Sequence, residues 1–268
     1  FYHLVLINKN SRSSIKKIYL WRKNLIIARN LDTVVVGAGF AGMYCLYKQI
    51  QDGFNAEIFE KADDVGGTWY WNKYPGARCD IESMDYSYSF SEELQQEWNW
   101  KEKYGTQPEI LEYARFVSKK FNLREKINFK TSIVKARFIN NKWMIETDNN
   151  IKIECKYLVL ATGNLSTPNT PNIEGLSNFK GRIYHTGAWP EKMPEFEGRK
   201  VGIIGTGSSG VQSIPVISET AQKLLVFQRT ANFSLPARHC ELAENKRENY
   251  KKNYKKYREL AQNSSFGI

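Results

Sequence analysis

The sequence lacks closely spaced cysteines. Its four cysteines, Cys45, Cys79, Cys155 and Cys240, lie far apart and form no Cys-x-x-Cys pair. A structural zinc site and a local redox disulfide both need such pairs, so neither is expected, and we predict no metal. Widely spaced cysteines suit a reducing compartment, which favours a cytoplasmic protein.

Long apolar runs are also missing. No stretch of 18 apolar residues occurs, so no membrane span is predicted. The chain opens with Phe1, and its first methionine is Met43, which we interpret as a fragment boundary or a poorly defined gene start. Residues 1–30 carry seven basic and no acidic side chains, a composition that resembles a transit peptide. We expect this extension to lie outside the fold.

The net charge of +11 is confined to the two ends of the chain. Residues 31–237 carry as many acidic as basic side chains, whereas residues 1–30 and 238–268 carry the basic excess. A protein that grips a nucleic-acid backbone should be basic on its folded body. We therefore expect no nucleic-acid partner.

Two stretches repeat the same strand–helix–strand pattern, in which a short apolar strand is stopped by glycine and followed by a helix. The first has its elements at 32–36, 41–52 and 56–59. The second has its elements at 201–204, 208–219 and 223–227. This βαβ unit is typical of Rossmann-type domains.

Between the two units the sequence alternates apolar and polar residues broken by turns, which predicts an antiparallel meander. Its strands are expected at 133–139, 143–147 and 151–155, with a helix before them at 108–121 and a separate buried strand after them at 157–161. The predicted fold class is α/β, with two Rossmann-type dinucleotide-binding domains and the meander in the first. We place these domains at 31–166 and 167–236, and an incomplete helical insertion at 237–268.

The first glycine loop, residues 37–42, follows a strand and opens a helix. Gly37 permits the tight turn, Gly39 lets the backbone approach a pyrophosphate, and Gly42 lets the helix pack closely on the strand. The helix N-terminus offers free N–H groups to phosphates. Glu60, which ends the next strand, can accept hydrogen bonds from ribose hydroxyls. The loop therefore predicts an unphosphorylated adenosine ribose, as in FAD.

The second glycine loop, residues 205–210, is followed by a strand that ends in Gln228 and Arg229 rather than in an acid. An acid would repel a 2′-phosphate, whereas Arg229 can bind one through several N–H donors. The loop therefore predicts NADP, although a solvated surface arginine is the alternative for Arg229. Two such loops in one chain predict electron transfer between two cofactors.

A segment between the loops carries a family resemblance. Residues 179–190 read Phe-x-Gly-x-x-x-His-Thr-x-x-Trp-Pro and resemble the Baeyer–Villiger monooxygenase fingerprint at every fixed position. N- and S-oxygenating flavin monooxygenases share its Phe, Gly and His, so Thr186, Trp189 and Pro190 are the residues that distinguish the Baeyer–Villiger fingerprint from theirs. Residues 66–80 are also similar to the family, and their Arg-Cys-Asp ending is most similar to phenylacetone monooxygenase. The resemblance extends over about residues 32–239.

The resemblance implies an enzyme in which NADPH reduces FAD, O2 reacts with the reduced flavin, and a ketone becomes an ester or lactone. It implies a monomer whose partners are a small-molecule ketone and O2. Asp80 matches an acid beside the flavin that positions an arginine, and His185 matches the fingerprint histidine used in NADPH-dependent steps. Both are candidate catalytic residues, with a loop cap and a structural histidine as their alternatives. Trp189 is predicted to be a packing anchor.

The same resemblance implies a set of cofactor contacts. Flavin contacts are predicted at Gly37, Gly39, Gly42, Glu60, Gly67, Thr68, Trp69, Asp80, Tyr86, Ala161, Thr162 and Gly163. NADP contacts are predicted at Thr206, Gly207, Ser208, Ser209, Gly210, Val211, Gln212, Gln228 and Arg229, with Arg78 where the nicotinamide end is approached.

The chain departs from the family in its length. Family members are much longer, so the chain is expected to be truncated, to lack the active-site arginine and to be inactive alone. Two alternatives stay open: an N- or S-oxygenating flavin monooxygenase, and a non-catalytic fragment that binds nucleotide. A flavin disulfide reductase would need a redox cysteine pair.

Overall fold

A computed structural model describes residues 29–165 and 167–265. Its strands are β1 (Arg29–Val36), β2 (Ala56–Phe59), β3 (Ile127–Asn128), β4 (Ile133–Ile139), β5 (Lys142–Thr147), β6 (Lys152–Leu160), β7 (Lys200–Ile204) and β8 (Lys223–Phe227). Its α-helices are α1 (Phe40–Gln51), α2 (Thr68–Trp71), α3 (Glu92–Glu97), α4 (Gln107–Lys120), α5 (Ser208–Ser218), α6 (Glu244–Lys252) and α7 (Tyr254–Gln262). Short 3₁₀ turns occur at Leu123–Lys126, Leu176–Asn178 and Thr186–Ala188.

The larger sheet is mixed, with the order β3-β2-β1-β6-β5-β4. The pairs β2–β3, β1–β2 and β1–β6 are parallel, and the pairs β4–β5 and β5–β6 are antiparallel. This arrangement joins a Rossmann-like parallel half to the predicted meander. The chain is therefore an α/β protein with a mixed Rossmann-like sheet.

Strand β6 connects the two halves of that sheet, and here the predicted break at residue 156 is wrong. Its first residues pair antiparallel with β5, at Ile153 opposite Ile145, while its pairing in parallel with β1 runs from Ile153 to Leu160. The exposed Lys156 interrupts the apolar run in the sequence. A strand is held by main-chain bonds to both neighbours, so one charged side chain does not end it.

Strand β1 begins at Arg29, before the predicted start at residue 32. The Arg29 guanidinium lies 2.6 Å from the Glu57 carboxylate and 2.7 Å from the side-chain oxygen of Asn128. The predicted basic extension over 1–30 therefore enters the sheet at its last two residues, and residues 1–28 lie outside the described part of the chain.

Apolar periodicity explains the helices that cover the sheet. Helix α1 buries Met43 and Leu46 against the strand residues Val35 and Ile58. Helix α4 begins where the Thr106 side chain accepts a hydrogen bond from the Glu109 N–H, and its buried face contains the four apolar positions predicted for it. Those positions are Ile110, Leu111, Ala114 and Val117.

The second unit contains β7 and β8 as a parallel pair, with α5 between them in the chain. Within the described residues it has two strands, so a second complete Rossmann-type domain is not shown. The predicted helical stretch from residue 237 begins with residues 237–243, which form no helix, and continues as α6 and α7. These helices contact the first unit, where the Arg258 guanidinium donates hydrogen bonds to the main-chain oxygens of Met84, Asp85 and Ser87.

Asp64 ties the loop after β2 to α4 and to the turn that follows α4. Its carboxylate lies 2.7 Å from Arg115 Nε and 2.7 Å from Arg124 Nη1. Burial alone would raise the pKa of Asp64, but the hydrogen bonds from the two arginines outweigh it and hold the pKa below its ordinary value. A lowered folded-state pKa stabilises the fold above the unfolded pKa, and this stabilisation is lost as the pH falls through the folded value.

We expect Asp64→Asn to lower the free energy of unfolding by about 1–2 kcal/mol at pH 7, because the arginines lose a charged acceptor. The difference from the wild type should shrink below about pH 3, where the wild-type carboxylate is also protonated. Urea unfolding at both pH values measures it. Asp52→Asn, which removes an exposed carboxylate at the end of α1, is the control and should change little. A pH-independent Asp64→Asn effect would contradict the ion-pair origin.

Candidate functional site

The two glycine loops have the same backbone geometry. Gly37 donates its N–H to Phe59 O at 2.9 Å, and Gly205 donates its N–H to Phe227 O at 2.9 Å. Gly37 has φ +102° and Gly205 has φ +101°, in the region that other residues avoid. Each loop is therefore anchored to the last residue of its second strand, β2 or β8.

The last glycine of each loop allows the following helix to approach the turn. A Cβ on Gly42 would lie 1.9 Å from Gly37 O, and a Cβ on Gly210 would lie 2.4 Å from Gly205 O. Both distances are far inside van der Waals contact. These two glycines are required by the packing of the chain itself, as the motif predicts.

The middle glycine of each loop is not required by protein packing. A Cβ on Gly39 would meet Gly67 Cα at an ordinary 3.5 Å, and a Cβ on Gly207 would meet nothing within 4 Å. Both residues precede helices that have no side-chain N-cap, so the first-turn N–H groups lack that partner. The geometry fits a pyrophosphate at each loop, because a glycine at a helix N-terminus allows a phosphate to approach the first-turn N–H groups.

Glu60 is buried and contacts the first loop directly. One carboxylate oxygen accepts a hydrogen bond from Ala38 N–H at 2.6 Å, and the other accepts one from Ala62 N–H at 2.7 Å. The sequence predicts a ribose partner for this carboxylate and does not predict these main-chain partners. A carboxylate has about four acceptor positions, so a ribose hydroxyl can still bind. The ribose contact stays a prediction.

Several predicted flavin contacts lie together around the first loop. Gly67 faces Gly39, and the turn at residues 161–163 begins where Ala161 N–H donates to Val36 O at 2.9 Å. Ala161 O also lies against Gly37, where an added Cβ would approach it to 2.7 Å. The turn contains Thr162 and Gly163, which follow directly in the chain.

Trp69 and Tyr86 form a contact with each other. The Trp69 indole N–H donates to the Tyr86 hydroxyl at 3.0 Å, and the two rings meet edge to face with centroids 5.7 Å apart. Burial raises the pKa of Tyr86, so its hydroxyl stays protonated at neutral pH. Thr68 precedes Trp69 at the start of α2.

The segment at 74–80 is joined to the second unit by Gln212. The Gln212 side-chain amide donates to an Asp80 carboxylate oxygen at 2.8 Å and to Arg78 O at 3.0 Å. Its oxygen accepts from Tyr74 O–H at 2.9 Å and from Arg78 N–H at 3.2 Å. The sequence predicts Gln212 as a nucleotide contact and predicts no role for Tyr74. The prediction missed this contact because nothing local in the sequence links the two segments.

The Arg78 side chain has two other partners. Its Nη1 lies 3.2 Å from a Glu102 carboxylate oxygen and 2.8 Å from His239 Nε2. His239 Nε2 is also 2.8 Å from the same Glu102 oxygen. A ring nitrogen either accepts from Arg78 or donates to Glu102, so it satisfies one contact at a time. Neither Glu102 nor His239 was predicted.

The second loop is supported from the end of β8. Gln228 donates its side-chain N–H to Thr206 Oγ1 at 2.8 Å, and Asn232 donates to Thr206 O at 2.8 Å. Arg229 is exposed and forms no hydrogen bond or ion pair with the residues that the structure describes. The predicted positions Ser208, Ser209 and Val211 form the first turn of α5, and Val211 is 41% exposed.

His185 lies apart from this cluster. Its Nδ1 accepts a hydrogen bond from Gly187 N–H at 3.0 Å, and its Nε2 lies 3.2 Å from Asn169 O. Within residues 29–165 and 167–265 it has no hydrogen bond to Asp80 or to either glycine loop. Trp189 contacts neighbouring aromatic rings, with its centroid 5.6 Å from that of Tyr184.

Two further classes of site do not occur in the described ranges. No group of His, Cys, Asp and Glu side chains there is arranged to hold a metal ion. No described helix is long and apolar enough to cross a membrane.

Comparison with known proteins shows several matches. The family model described as pyridine nucleotide-disulphide oxidoreductase matches residues 34–260. The chain is 44% identical over 238 residues to phenazine N-monooxygenase PhzNO1 of Lysobacter antibioticus, covering 88% of this chain and 44% of that protein. It is 46% identical over 214 residues to a Baeyer–Villiger monooxygenase of Pseudooceanicola batsensis, covering 78% of this chain and 39% of that protein.

The chain also matches solved structures along most of its length. Oxidized steroid monooxygenase bound to NADP matches with a TM-score of 0.84 and 50% identity, covering 89% of this chain and 46% of that one. The OTEMO complex with FAD and NADP matches with a TM-score of 0.84 and 38% identity, covering 89% of this chain and 46% of that one. The chain therefore spans less than half the length of these relatives.

Proposed function

The chain belongs to the pyridine nucleotide-disulphide oxidoreductase family, and we propose that the full-length protein is an FAD-dependent, NADPH-consuming monooxygenase of the Baeyer–Villiger type. One observation carries the proposal. Two glycine loops share one backbone geometry, yet β2 after the first loop is followed by Glu60, whereas β8 after the second loop is followed by Gln228 and Arg229. This difference supports an unphosphorylated ribose at the first loop and a 2′-phosphate at the second.

The residues present fit both cofactors. FAD would be held by the first loop, Glu60, residues 67–69 and the turn at 161–163, and NADP by the second loop and Arg229. When bound, FAD would accept electrons from NADPH and react with O2, chemistry that side chains alone cannot supply. One matching structure is bound to NADP and another is a complex with FAD and NADP, which supports this assignment. Asp80 and His185 remain the proposed catalytic residues.

Disulfide reduction is disfavoured although the family name mentions it. Cys45, Cys79, Cys155 and Cys240 are free and distributed over separate parts of the described chain. Burial raises the pKa of Cys45 and Cys79, and it raises that of Cys155 to about 11. A thiol must ionise to exchange with a disulfide, so these three thiols are poor nucleophiles.

The competing activity is N-oxygenation, because one relative is a phenazine N-monooxygenase and another is a Baeyer–Villiger monooxygenase. The fingerprint residues Thr186, Trp189 and Pro190 favour the Baeyer–Villiger reaction over N-oxygenation. The relatives support a place among the flavin monooxygenases as a group and do not point to one member of that group. The particular resemblance of residues 78–80 to phenylacetone monooxygenase stays a prediction.

Product analysis tests the proposal. We expect the full-length protein, supplied with FAD, NADPH and O2, to convert at least one cyclic or aryl ketone into an ester or lactone in step with NADPH use. Aromatic amines and N-heterocycles form the matched substrate panel. N-oxides from that panel with no ester from any ketone would favour the competing activity.

A further inference from the structure

The Gln212 side chain uses its whole hydrogen-bonding capacity on one short segment. A glutamine amide offers two N–H donors and an oxygen with two acceptor positions. Both donors are taken, by Asp80 and by Arg78 O, and both acceptor positions are taken, by Tyr74 O–H and Arg78 N–H. No polar capacity is left for a nucleotide, although its place in the second loop motif suggests a nucleotide contact.

The orientation of this amide is determined by the main chain of Arg78. A main-chain N–H can only donate and a main-chain oxygen can only accept, so the Gln212 oxygen must face Arg78 N and the amide nitrogen must face Arg78 O. The remaining donor then points at Asp80. A flipped amide would lose both main-chain bonds.

The two segments also touch through their backbones. A Cβ on Gly76 would lie 2.2 Å from Gln212 O, and Gly76 has φ +75°. The segment at 74–80 therefore packs directly against α5. Because Gln212 lies in the helix that the second glycine loop opens, it links that loop to the segment that carries Asp80.

We propose that Gln212 is a positioning residue: it fixes the Asp80 carboxylate and the Arg78 main chain against the second nucleotide loop, and it is not a nucleotide ligand. The proposal deepens the proposed function, and it rests on that function for the catalytic role of Asp80. The contact itself is independent of any activity. Its test therefore includes a readout that needs no turnover.

The first arm measures amide hydrogen exchange in residues 74–80 without cofactor. Gln212→Met keeps the length of the side chain and removes all four hydrogen bonds, so exchange there should become about fivefold faster or more. Glu219→Gln, an exposed change at the end of the same helix, is the control and should leave exchange unchanged. Unchanged exchange in Gln212→Met would overturn the proposal.

A second variant covers the case in which Gln212→Met does not fold. Gln212→Glu keeps the oxygen that accepts from Tyr74 and Arg78, but it turns the donor facing Asp80 into an acceptor and sets two carboxylates together. Exchange in residues 74–80 should again become faster. Adding Asp80→Asn supplies a donor and should restore part of the protection. Without any restoration, the Asp80 contact is refuted.

The last arm separates positioning from ligand binding. In Gln212→Met the Kd for NADPH should change by less than about threefold, while kcat for ketone oxygenation falls about tenfold. A nucleotide ligand would instead show a Kd raised about tenfold or more, and that result would overturn the proposal. If the wild type converts no ketone, the proposed function fails, but the exchange and Kd arms still decide the role of Gln212.

Discussion

Replacing Gly39 with alanine is expected to weaken FAD binding by about 100-fold while the chain stays folded. The added Cβ has room in the protein, because its nearest neighbour is Gly67 Cα at 3.5 Å. The Cβ would instead occupy the space through which a pyrophosphate reaches the helix N-terminus. Losing one charge-assisted bond to phosphate costs about 1.5–3 kcal/mol, a range that includes the roughly 2.7 kcal/mol of a 100-fold change in Kd.

Matched glycine variants make this test specific. Gly207→Ala should weaken NADPH binding by a similar factor and spare FAD, because that Cβ also has room in the protein, with nothing within 4 Å. Gly202→Ala in β7 meets only an ordinary 3.4 Å contact with Phe227 and is the control. Flavin retention after purification, nucleotide titration and circular dichroism give the readouts. If folded Gly39→Ala retains FAD normally, the pyrophosphate lies elsewhere.

Gly42→Ala should behave differently from Gly39→Ala, since its Cβ would meet Gly37 O at 1.9 Å. There the loss of FAD should accompany a loss of stability. The two glycines of one motif thus separate a ligand requirement from a packing requirement. Sequence alone assigns these roles by position in the motif, whereas the structure provides the distances that distinguish them.

Local patterns were sufficient to predict most of the secondary structure. The strand at Ala56–Phe59 and the helix at Phe40–Gln51 follow from apolar periodicity and glycine stops, which depend on neighbouring residues only. The continuity of β6 through Lys156 was not predictable, because it depends on β1 and β5, which are distant in sequence. The contact of α6 and α7 with the first unit is non-local in the same way.

In the candidate site too, local sequence predicts some features, whereas others depend on distant segments. The motif identified Glu60 and Gln212 as polar residues close to nucleotides, but their partners depend on how separate segments meet. Glu60 accepts from the loop residue Ala38, and Gln212 bonds the segment that contains Asp80. A sequence pattern fixes residue type and approximate place, while hydrogen-bond partners require the packed geometry.

Replacing Arg229 should change the choice between NADPH and NADH. Arg229 lies exposed just after β8, beside the Gln228 that bonds Thr206 of the second loop, and has no partner among the residues described. Its guanidinium is therefore available to a 2′-phosphate. Arg229→Ala should lower the NADPH preference about tenfold or more, because one charge-assisted contact is lost.

Arg229→Glu should lower that preference by about a further tenfold. It places an acid two residues after β8, next to Gln228, which is the counterpart of Glu60 after β2. The phosphate would then be repelled and an unphosphorylated ribose accepted. The ratio of kcat/KM for NADPH to that for NADH, measured in the full-length protein, gives the preference. Lys223→Ala, at the opposite end of β8, removes a charge of the same sign and should leave the ratio unchanged. If Arg229→Glu also leaves it unchanged, the 2′-phosphate is held by other residues, and the different ribose chemistry inferred for the two loops is wrong.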